Sequence, residues 1–333
     1  MIPPPMRPRS GRSLLVPAVL LLLAVLDWAY VGTEQFVNAL TIGAVYALIA
    51  LGYTMVYGII ELINFAHGDV FMVGSFVTYW LLTSLGYNGT IADVPLLVVV
   101  LAGTFLIAML VLGGIGVVIE RFAYRPLRNA PRLAPLITAI GVSFILQNII
   151  QIFFGPSPIS APQVMDVQAR IDIGGVDVSV VKLFVIAVAF ILMIALQTFV
   201  SRTRMGRAMR STAIDRDAAQ LMGVDINTTI AVTFFLGSAL AGAAGVVQVL
   251  YLGTTNFQLG FQAGLKAFTS AVLGGIGNIT GAALGGFLIG FIEVNSTVAG
   301  YGRWSEAIVF GILVLVLVFR PTGLLGQQLG ERA

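Results

Sequence analysis

The chain has 333 residues, of which 58% are hydrophobic and only 10% are charged. A soluble domain ordinarily carries about 25% charged residues, so this composition excludes a water-soluble fold and predicts a membrane protein. Cysteine is absent, which excludes disulfides and thiolate chemistry, and the net charge of +3 is modest.

The first element along the chain is an apolar run near residues 14–31, preceded by Arg7, Arg9 and Arg12. A basic flank before an apolar run is also typical of a signal peptide, but no A-x-A cleavage site follows. We therefore interpret residues 1–12 as a cytoplasmic N-terminal tail and the run as a retained first span.

Ten segments are apolar enough to be candidate spans, because a spanning helix needs about 20 mostly apolar residues. They lie near 14–31, 35–60, 69–85, 95–120, 134–154, 180–200, 226–252, 263–279, 281–299 and 303–320. The segments 69–85, 263–279 and 281–299 are short and glycine-rich, which is also typical of half-helices or re-entrant segments. The prediction is an all-α integral membrane protein with about 8–10 transmembrane or re-entrant helices. One transmembrane domain covers residues 13–325, and a cytoplasmic tail covers 326–333.

The stretch "INFAHGDVFMVGSF", residues 63–76, interrupts the apolar pattern and holds the only histidine. Asn64 is placed to cap a helix that begins near Phe65, and Asp69 suits the positive end of that helix. Glu61, His67 and Asp69 are predicted to form a buried polar cluster. The alternative is that these groups brace a loop at the cytoplasmic interface.

A second interruption, "GGIGNITG" at 274–281, lies in the other half of the chain. Corresponding breaks indicate a pseudo-repeat of two halves and are a sequence sign of a transport pathway. The alternative is that both are ordinary tight turns at the membrane surface. The candidate pathway residues are Asn64, His67, Gly68, Asp69, Gly275, Gly277 and Asn278.

Small residues recur at four-residue spacing, as in Gly237, Ala241 and Gly245, in Gly281 and Gly285, and in Gly286 and Gly290. Such stripes let membrane helices pack closely, and packing alone is the better interpretation for most of them.

Arginine clusters predict the orientation, because cytoplasmic loops are enriched in Lys and Arg. With ten crossings, the clusters near residues 7–12, 121–132, 202–216 and 320–332 all fall on one side. Arg170, Lys182 and Arg303 fall on the other side with several aspartates. The pattern predicts that both termini are cytoplasmic.

The longest cytoplasmic break covers residues 201–229. Met205, Ala208, Met209 and Thr212 make a hydrophobic stripe at helical spacing. Asp215 is a candidate N-cap and Gly223 a candidate C′ residue of a short helix over 216–222. One interpretation is that this segment only sets the membrane topology through its arginines. Exposed methionines on a capped helix favour the other interpretation, a docking surface.

Several functions are disfavoured. There is no G-x-x-x-x-G-K-[ST] phosphate loop, so any ATP must be bound and hydrolysed by a partner subunit. One histidine and no cysteine cannot form a typical zinc site, and no nucleophile–base pair stands out. We predict no cofactor, no metal site and no catalytic residue in this chain.

Three stretches resemble one family. "GYTMVYGIIELINFAHGDVFMVGSF" (52–76), "GRAMRSTAIDRDAAQLMGVD" (206–225) and "GLKAFTSAVLGGIGNITGAALGGFLIGFIE" (264–293) are similar to LivH-type permeases of bacterial branched-chain amino-acid ABC importers. The resemblance extends over about residues 35 to 325. It implies an ATPase-coupling loop over 201–225 that contains Met205, Gly206, Arg207, Met209, Arg210, Asp215, Ala218, Ala219 and Gly223.

The resemblance also implies the assembly: a LivM-like second permease, two P-loop ATPase subunits and a periplasmic binding protein, in the inner membrane. It implies import of leucine, isoleucine or valine, with membrane lipid as surroundings and no nucleic acid. Related permeases carry urea, short amides or sugars, so a urea or amide permease stays open. Two other classes stay open as well: an ion-coupled secondary transporter using Glu61, His67, Asp69 and Glu293, and a passive channel.

Overall fold

The computed structural model describes the backbone of residues 12–128, 130–131, 133–172 and 175–326, and side chains from residue 32 onward. The predicted tails 1–12 and 326–333, together with Arg132, therefore lie outside the described residues or at their edge. Eleven helices occur in the described part: α1 (Arg12–Ile60), α2 (His67–Ser84), α3 (Val94–Ile119), α4 (Leu133–Phe154), α5 (Val180–Arg202), α6 (Arg204–Ile214), α7 (Arg216–Leu221), α8 (Ile226–Leu252), α9 (Leu259–Gly274), α10 (Ile279–Val298) and α11 (Ser305–Phe319).

Short strands and turns fill the connections. The strands are β1 (Ile159–Ser160), β2 (Arg170–Asp172), β3 (Asp177–Ser179) and β4 (Thr254–Thr255). β1 pairs antiparallel with β4, and β2 pairs antiparallel with β3. A π-helical turn over Glu120–Tyr124 and a 3₁₀ turn over Arg125–Leu127 extend α3, and a second 3₁₀ turn, Gly302–Trp304, precedes α11. The chain is an all-α membrane protein, as the composition predicts.

Seven helical stretches of the described chain are long and apolar enough to cross a membrane. They are Gly32–Ile60, Val94–Leu127, Leu133–Phe154, Val180–Arg202, Ile226–Leu252, Ile279–Val298 and Gly302–Phe319. The segment predicted near 281–299 is therefore a full-length helix and not a half-helix. α2, with 18 residues, and α9, with 16, are not among them, and both have many buried residues within the bundle. The predicted first span, near 14–31, is helical and is joined to the rest of α1 across Gly32, where the backbone leaves the helical region.

The helix ends fall on two faces. On the first, Arg216 donates from its Nη2 to the carbonyl of Ile59 at 3.1 Å, and Arg128 donates from its Nη1 to Oδ1 of Asn227 at 2.7 Å. These two bonds bring together the end of α1, the turn after α3, α7 and the start of α8; we call this the arginine-rich face. The opposite face holds the strand pair β1–β4, the loop 85–93 and the described residues 155–172 and 175–179. This grouping agrees with the distribution of arginine that the sequence predicts.

Small residues bring the central helices together. A Cβ placed on Gly237 of α8 would lie 3.2 Å from the carbonyl oxygen of Gly52 in α1. A Cβ on Gly245 would lie 2.6 Å from the backbone of Gly74 in α2. Gly286 and Gly290 of α10 approach the α1 backbone in the same way. The prediction that these stripes serve close packing is confirmed.

Candidate functional site

The helix α2 begins inside the bundle, well away from the arginine-rich face. Its first residue, His67, contacts Gly52, which lies eight residues before the end of α1, a rise of about 12 Å. Gly68 contacts Gly264, which lies ten residues before the end of α9, a rise of about 15 Å. Residues 61–66 therefore run from the end of α1 back into the protein interior. Non-helical backbone at such depth occurs in membrane proteins only where protein or a water-filled cavity surrounds it.

Asn64 holds this re-entrant segment in a turn. Its Oδ1 accepts hydrogen bonds from the N–H of Ala66 and from the Tyr124 hydroxyl, both at 3.2 Å. The N–H of His67 donates to the Asn64 carbonyl at 3.0 Å. The predicted capping role is thus wrong in position, because the helix begins at His67 and Asn64 forms the turn that precedes it.

Asp69 lies in the first turn of α2 and is 1% exposed. Its carboxylate accepts a short hydrogen bond from the Ser143 hydroxyl and another from Nε2 of Gln147 at 3.0 Å, both on α4. A buried charge is stable only when hydrogen-bonded or paired, and the positive end of α2 adds further stabilisation.

His67 does not join Asp69 in a polar cluster. Its ring is fully buried, packs edge-on against Tyr53 with centroids 4.8 Å apart, and neither ring nitrogen has a hydrogen-bond partner among the described residues. Glu61 is exposed at the end of α1, with a φ of 55°. The predicted Glu61–His67–Asp69 cluster is wrong, because the turn sends the three side chains in different directions.

The start of α9 has the same sequence pattern and the same turn as the start of α2, a similarity that the sequence analysis missed. Residues 64–68 read N-F-A-H-G, and residues 256–260 read N-F-Q-L-G. Oδ1 of Asn256 accepts from the N–H of Gln258 at 3.0 Å, and the N–H of Leu259 donates to the Asn256 carbonyl at 3.2 Å. Each helix, α2 and α9, thus begins three residues after the asparagine. The shared N-F-x-x-G pattern is the signal that finds this pair.

This second segment re-enters from the opposite face. The hydroxyl of Thr255 lies 2.5 Å from that of Ser75, nine residues before the end of α2 and so about 13 Å inside it. The two helix starts then pack side by side, and a Cβ on Gly260 would lie 2.8 Å from the Cα of Asp69. The true counterpart of the break at 61–66 is therefore 253–258.

A cavity of about 620 Å³ lies beside the two helix starts. Phe65 and Phe257, the phenylalanines of the two motifs, both line it, and Ser143 and Gln147 form its polar wall. Asp69 lies directly behind that wall. Exposed residues of α4 and α9, among them Ile140, Phe144 and Phe261, form the rim, so the cavity opens on the outside of the chain.

The predicted second break, "GGIGNITG", is a tight turn between α9 and α10. Gly275 and Gly277 have φ of 110° and 89°, a region that favours glycine. Oδ1 of Asn278 accepts from the N–H of Gly281 at 3.1 Å and caps α10, and its Nδ2 donates to the Leu325 carbonyl at 2.9 Å. Gly277 lies against Gly58 near the end of α1, and Gly275 and Asn278 lie against residues 325–326.

The segment 203–225 forms two capped helices outside the bundle. Oδ1 of Asp215 accepts from the N–H groups of Asp217 and Ala218, which starts α7, and Gly223 ends it with a φ of 86°. The predicted caps are confirmed.

The next helix, α8, is capped by Asp225. The hydrogen bond from the Thr228 hydroxyl is the main cause that lowers the pKa of the Asp225 carboxylate below its ordinary value. This cap therefore stays charged at neutral pH.

The predicted exposed methionine stripe is wrong at Met209, which is only 2% exposed. Thr203 caps α6, and Arg210 donates to the Val200 carbonyl, so α6 folds back on α5 and buries Met209 together with Gly206. Of the remaining predicted residues, Ala219 is buried and Met205 is partly buried, whereas Arg207, Arg210, Asp215, Ala218 and Gly223 are exposed. The large exposed apolar side chains of this segment are instead Ile214, at 70%, Leu221, at 88%, and Met222, at 85%.

Comparison with known proteins identifies the family to which the chain belongs. The pattern of the family described as "Branched-chain amino acid transport system / permease component" matches residues 35–317, which include both helix starts and the segment 203–225. The chain belongs to this family. It is therefore a transport permease component and not an enzyme, and no group of three or more potential metal ligands occurs in its described part.

Individual members of the permease family extend the comparison. The chain is 44% identical over 302 residues to the high-affinity branched-chain amino acid transport system permease protein BraD of Pseudomonas aeruginosa, covering 90% of this chain and 97% of the relative. It is 41% identical to LivH of Escherichia coli K12 with the same coverage. No solved structure matches the chain.

Proposed function

We propose that the chain is the membrane-spanning permease subunit of an ATP-driven ABC importer that moves leucine, isoleucine and valine across the bacterial inner membrane. The observation that carries this proposal is the similarity to BraD and LivH along nearly the whole length of each protein. A urea or amide permease is the competing substrate assignment.

The route runs, in this proposal, along the cavity beside the two helix starts. Asp69 provides a negative charge near the middle of the membrane, and aromatic and aliphatic side chains provide an apolar wall. Both features suit an amino acid with an ammonium group and an aliphatic side chain. Because the cavity opens on the surface of the chain, a second permease subunit would close it, and the route would lie between the two.

The energy comes from partner subunits, since the sequence has no phosphate-binding loop and no cofactor of its own is proposed. The arginine-rich face is assigned to the cytoplasm, as is each terminus, because cytoplasmic loops are enriched in arginine. Two ATPase subunits would bind there, and a periplasmic binding protein would deliver substrate at the opposite face.

Leu221, the last residue of α7, and Met222, which follows it, form the contact that we assign to the ATPase. They are exposed, apolar and adjacent, and removal of apolar surface from water is the main favourable contribution to most protein–protein association. Arg216 on the same helix donates to the Ile59 carbonyl at 3.1 Å, so a shift of α7 would act on the end of α1 and on the re-entrant segment after it.

Reconstitution tests the proposal. The chain would be placed in liposomes with its partner permease, ATPases and binding protein, and labelled leucine uptake would be followed. We expect uptake that requires ATP and every partner, and that is competed by isoleucine and valine but not by urea or acetamide. Uptake driven by an ion gradient without the ATPases would instead support a secondary transporter.

Substitution of two methionines distinguishes an effect on ATPase coupling from an effect on folding. Met222→Glu is expected to lower substrate-stimulated ATPase activity and uptake together while the melting temperature stays unchanged. Met209→Glu should lower the melting temperature instead, because it buries an unpaired charge. If Met222→Glu couples normally, the assigned contact is wrong.

A further inference from the structure

A second group of charged residues lies within the membrane domain, away from Asp69. Nζ of Lys266 on α9 donates to Oε1 of Glu293 on α10 at 2.8 Å, and the Tyr46 hydroxyl on α1 donates to Oε2 of Glu293 at 2.8 Å. Charged side chains inside a membrane domain are costly, and they commonly mark a functional site. The mechanism proposed above does not use this group.

The ion pair keeps unused hydrogen-bonding capacity. An ammonium group has three N–H donors, and one of those of Lys266 donates to Glu293. Glu306 lies 3.9 Å from Nζ, beyond hydrogen-bond distance, and the Tyr46 ring centroid lies at 5.8 Å. Each carboxylate oxygen of Glu293 accepts one hydrogen bond and can accept another. One donor group and one acceptor group are therefore available to a ligand.

A cavity of about 230 Å³ adjoins this pair. Lys266, Glu293 and Tyr46 line its polar end, and Ile42, Val45 and Leu259 line its apolar side. It is smaller than the roughly 300–1,000 Å³ of drug-sized sites, which suits a molecule the size of one amino acid. Leu252, the last residue of α8, is exposed and also lines the cavity, which therefore opens towards the opposite face.

We infer that this cavity binds a free, zwitterionic aliphatic amino acid during transport. Its carboxylate binds Lys266, its ammonium binds Glu293, and its side chain packs on the apolar wall. A zwitterion adds one charge of each sign, so the net charge of the site does not change. The inference rests on the proposed function, since it assigns a binding site to the proposed substrate.

The position of the cavity beside Lys266 and Glu293 suits an intermediate binding site on the substrate route. Gln262 on α9 lines both this cavity and the larger cavity beside the two helix starts. Glu293 lies five residues before the end of α10, about 7.5 Å from the opposite face. A substrate released at that face would reach the ion pair first and the Asp69 region next, with Gln262 as the shared wall.

The competing explanation is that the ion pair only ties α9 to α10. Two analogues of leucine separate these explanations. Leucinamide lacks the carboxylate, and 4-methylpentanoate lacks the ammonium group. A structural pair would weaken binding of all three molecules alike when mutated, whereas a binding pair would change the discrimination among them.

The test measures binding of labelled leucine to the complex of this chain with its permease partner and ATPases in lipid nanodiscs, without the binding protein. We expect leucine to compete about tenfold better than either analogue. Lys266→Met should remove the discrimination against leucinamide only, and Glu293→Gln the discrimination against 4-methylpentanoate only. Lys182→Met, which changes the other lysine of the chain, is the matched control.

The double variant Lys266→Met/Glu293→Gln leaves no unpaired buried charge, since Glu306, the other carboxylate near Lys266, is exposed, so this variant guards against misfolding. We expect it to assemble normally and to bind leucine about tenfold more weakly. Unchanged binding in the double variant would overturn the inference, as would equal loss for all three molecules in the single variants. Absence of leucine binding to the unmodified complex would also overturn it, and uptake by the complete system with binding protein would then show that the proposed function still stands.

Discussion

The two helix starts share a backbone and differ in their side chains. At 64–68 and at 256–260 the same N-F-x-x-G motif forms the same turn, and each turn starts a helix inside the bundle. At the first start, however, the helix continues with a buried aspartate, Asp69. At the second, the equivalent position is Phe261, which is exposed.

The comparison separates the residues that form the turns from the residue that we assign to transport. Asparagine and glycine occur at both starts, so they serve the turn and the close approach of α2 to α9. Asp69 occurs at one start alone, and two residues of α4 hold its carboxylate in place. Mutation at the shared positions should therefore affect folding, and mutation of Asp69 should affect transport.

The largest effect is expected at the shared glycines. A Cβ on Gly68 would lie 2.8 Å from the Cα of Gly264 and closer still to the Gly260 carbonyl. Gly68→Ala and Gly260→Ala should each destabilise the protein by about 1–3 kcal/mol, the usual cost of overpacking. Melting temperatures in detergent would measure this. Gly141→Ala is the control, because a Cβ there meets open space. Equal melting temperatures for Gly68→Ala and the control would contradict the close approach.

The next effect is expected at the unshared pair, Asp69 and Phe261. Asp69→Asn keeps a hydrogen-bond acceptor for α4 but removes the negative charge behind the polar wall of the cavity. We expect leucine uptake to fall about tenfold, equivalent to about 1.4 kcal/mol, in protein that still assembles. Phe261→Leu should leave uptake within about twofold, as is usual for exposed positions. If both variants transport alike, the two starts do not differ in function.

The smallest effect is expected at His67, whose counterpart is Leu259. No described residue hydrogen-bonds to the His67 ring, so His67→Leu removes no such bond and should cost less than about 1.5 kcal/mol. His67→Gln should cost more, because it buries an amide without partners, at about 1–3 kcal/mol. The sequence alone favours the reverse order, on the expectation of polar neighbours. Melting temperatures in detergent would measure both variants, and a larger loss of stability in His67→Leu than in His67→Gln would restore a polar role for His67.

Apolar periodicity and capping residues predict much of this fold. Each predicted span corresponds to helical backbone, and Asp215 and Gly223 bound α7 as local capping rules require. Local rules work here because a cap depends only on the next few residues.

Other features depend on contacts between distant segments. Met209 looks like a docking residue on a helical stripe, but α6 folds back on the same chain and buries it. The re-entrant segment 253–258 reads GTTNFQ, a composition equally typical of a surface loop, so the sequence does not reveal its depth. Only the short N-F-x-x-G repeat connects it to residues 64–68.

The central claim is that both helix starts lie inside the bundle, and a disulfide tests it most directly. The chain has no cysteine, so Ser75→Cys/Thr255→Cys introduces a unique pair at hydroxyls 2.5 Å apart. A protease site placed at the exposed residues Leu221–Gly223 would separate the two cysteines into different fragments. In oxidised membranes we expect the fragments to stay linked until a reductant is added, and the control pair Ser75→Cys/Thr228→Cys to separate. Fragments that separate without reductant in both variants would contradict the account.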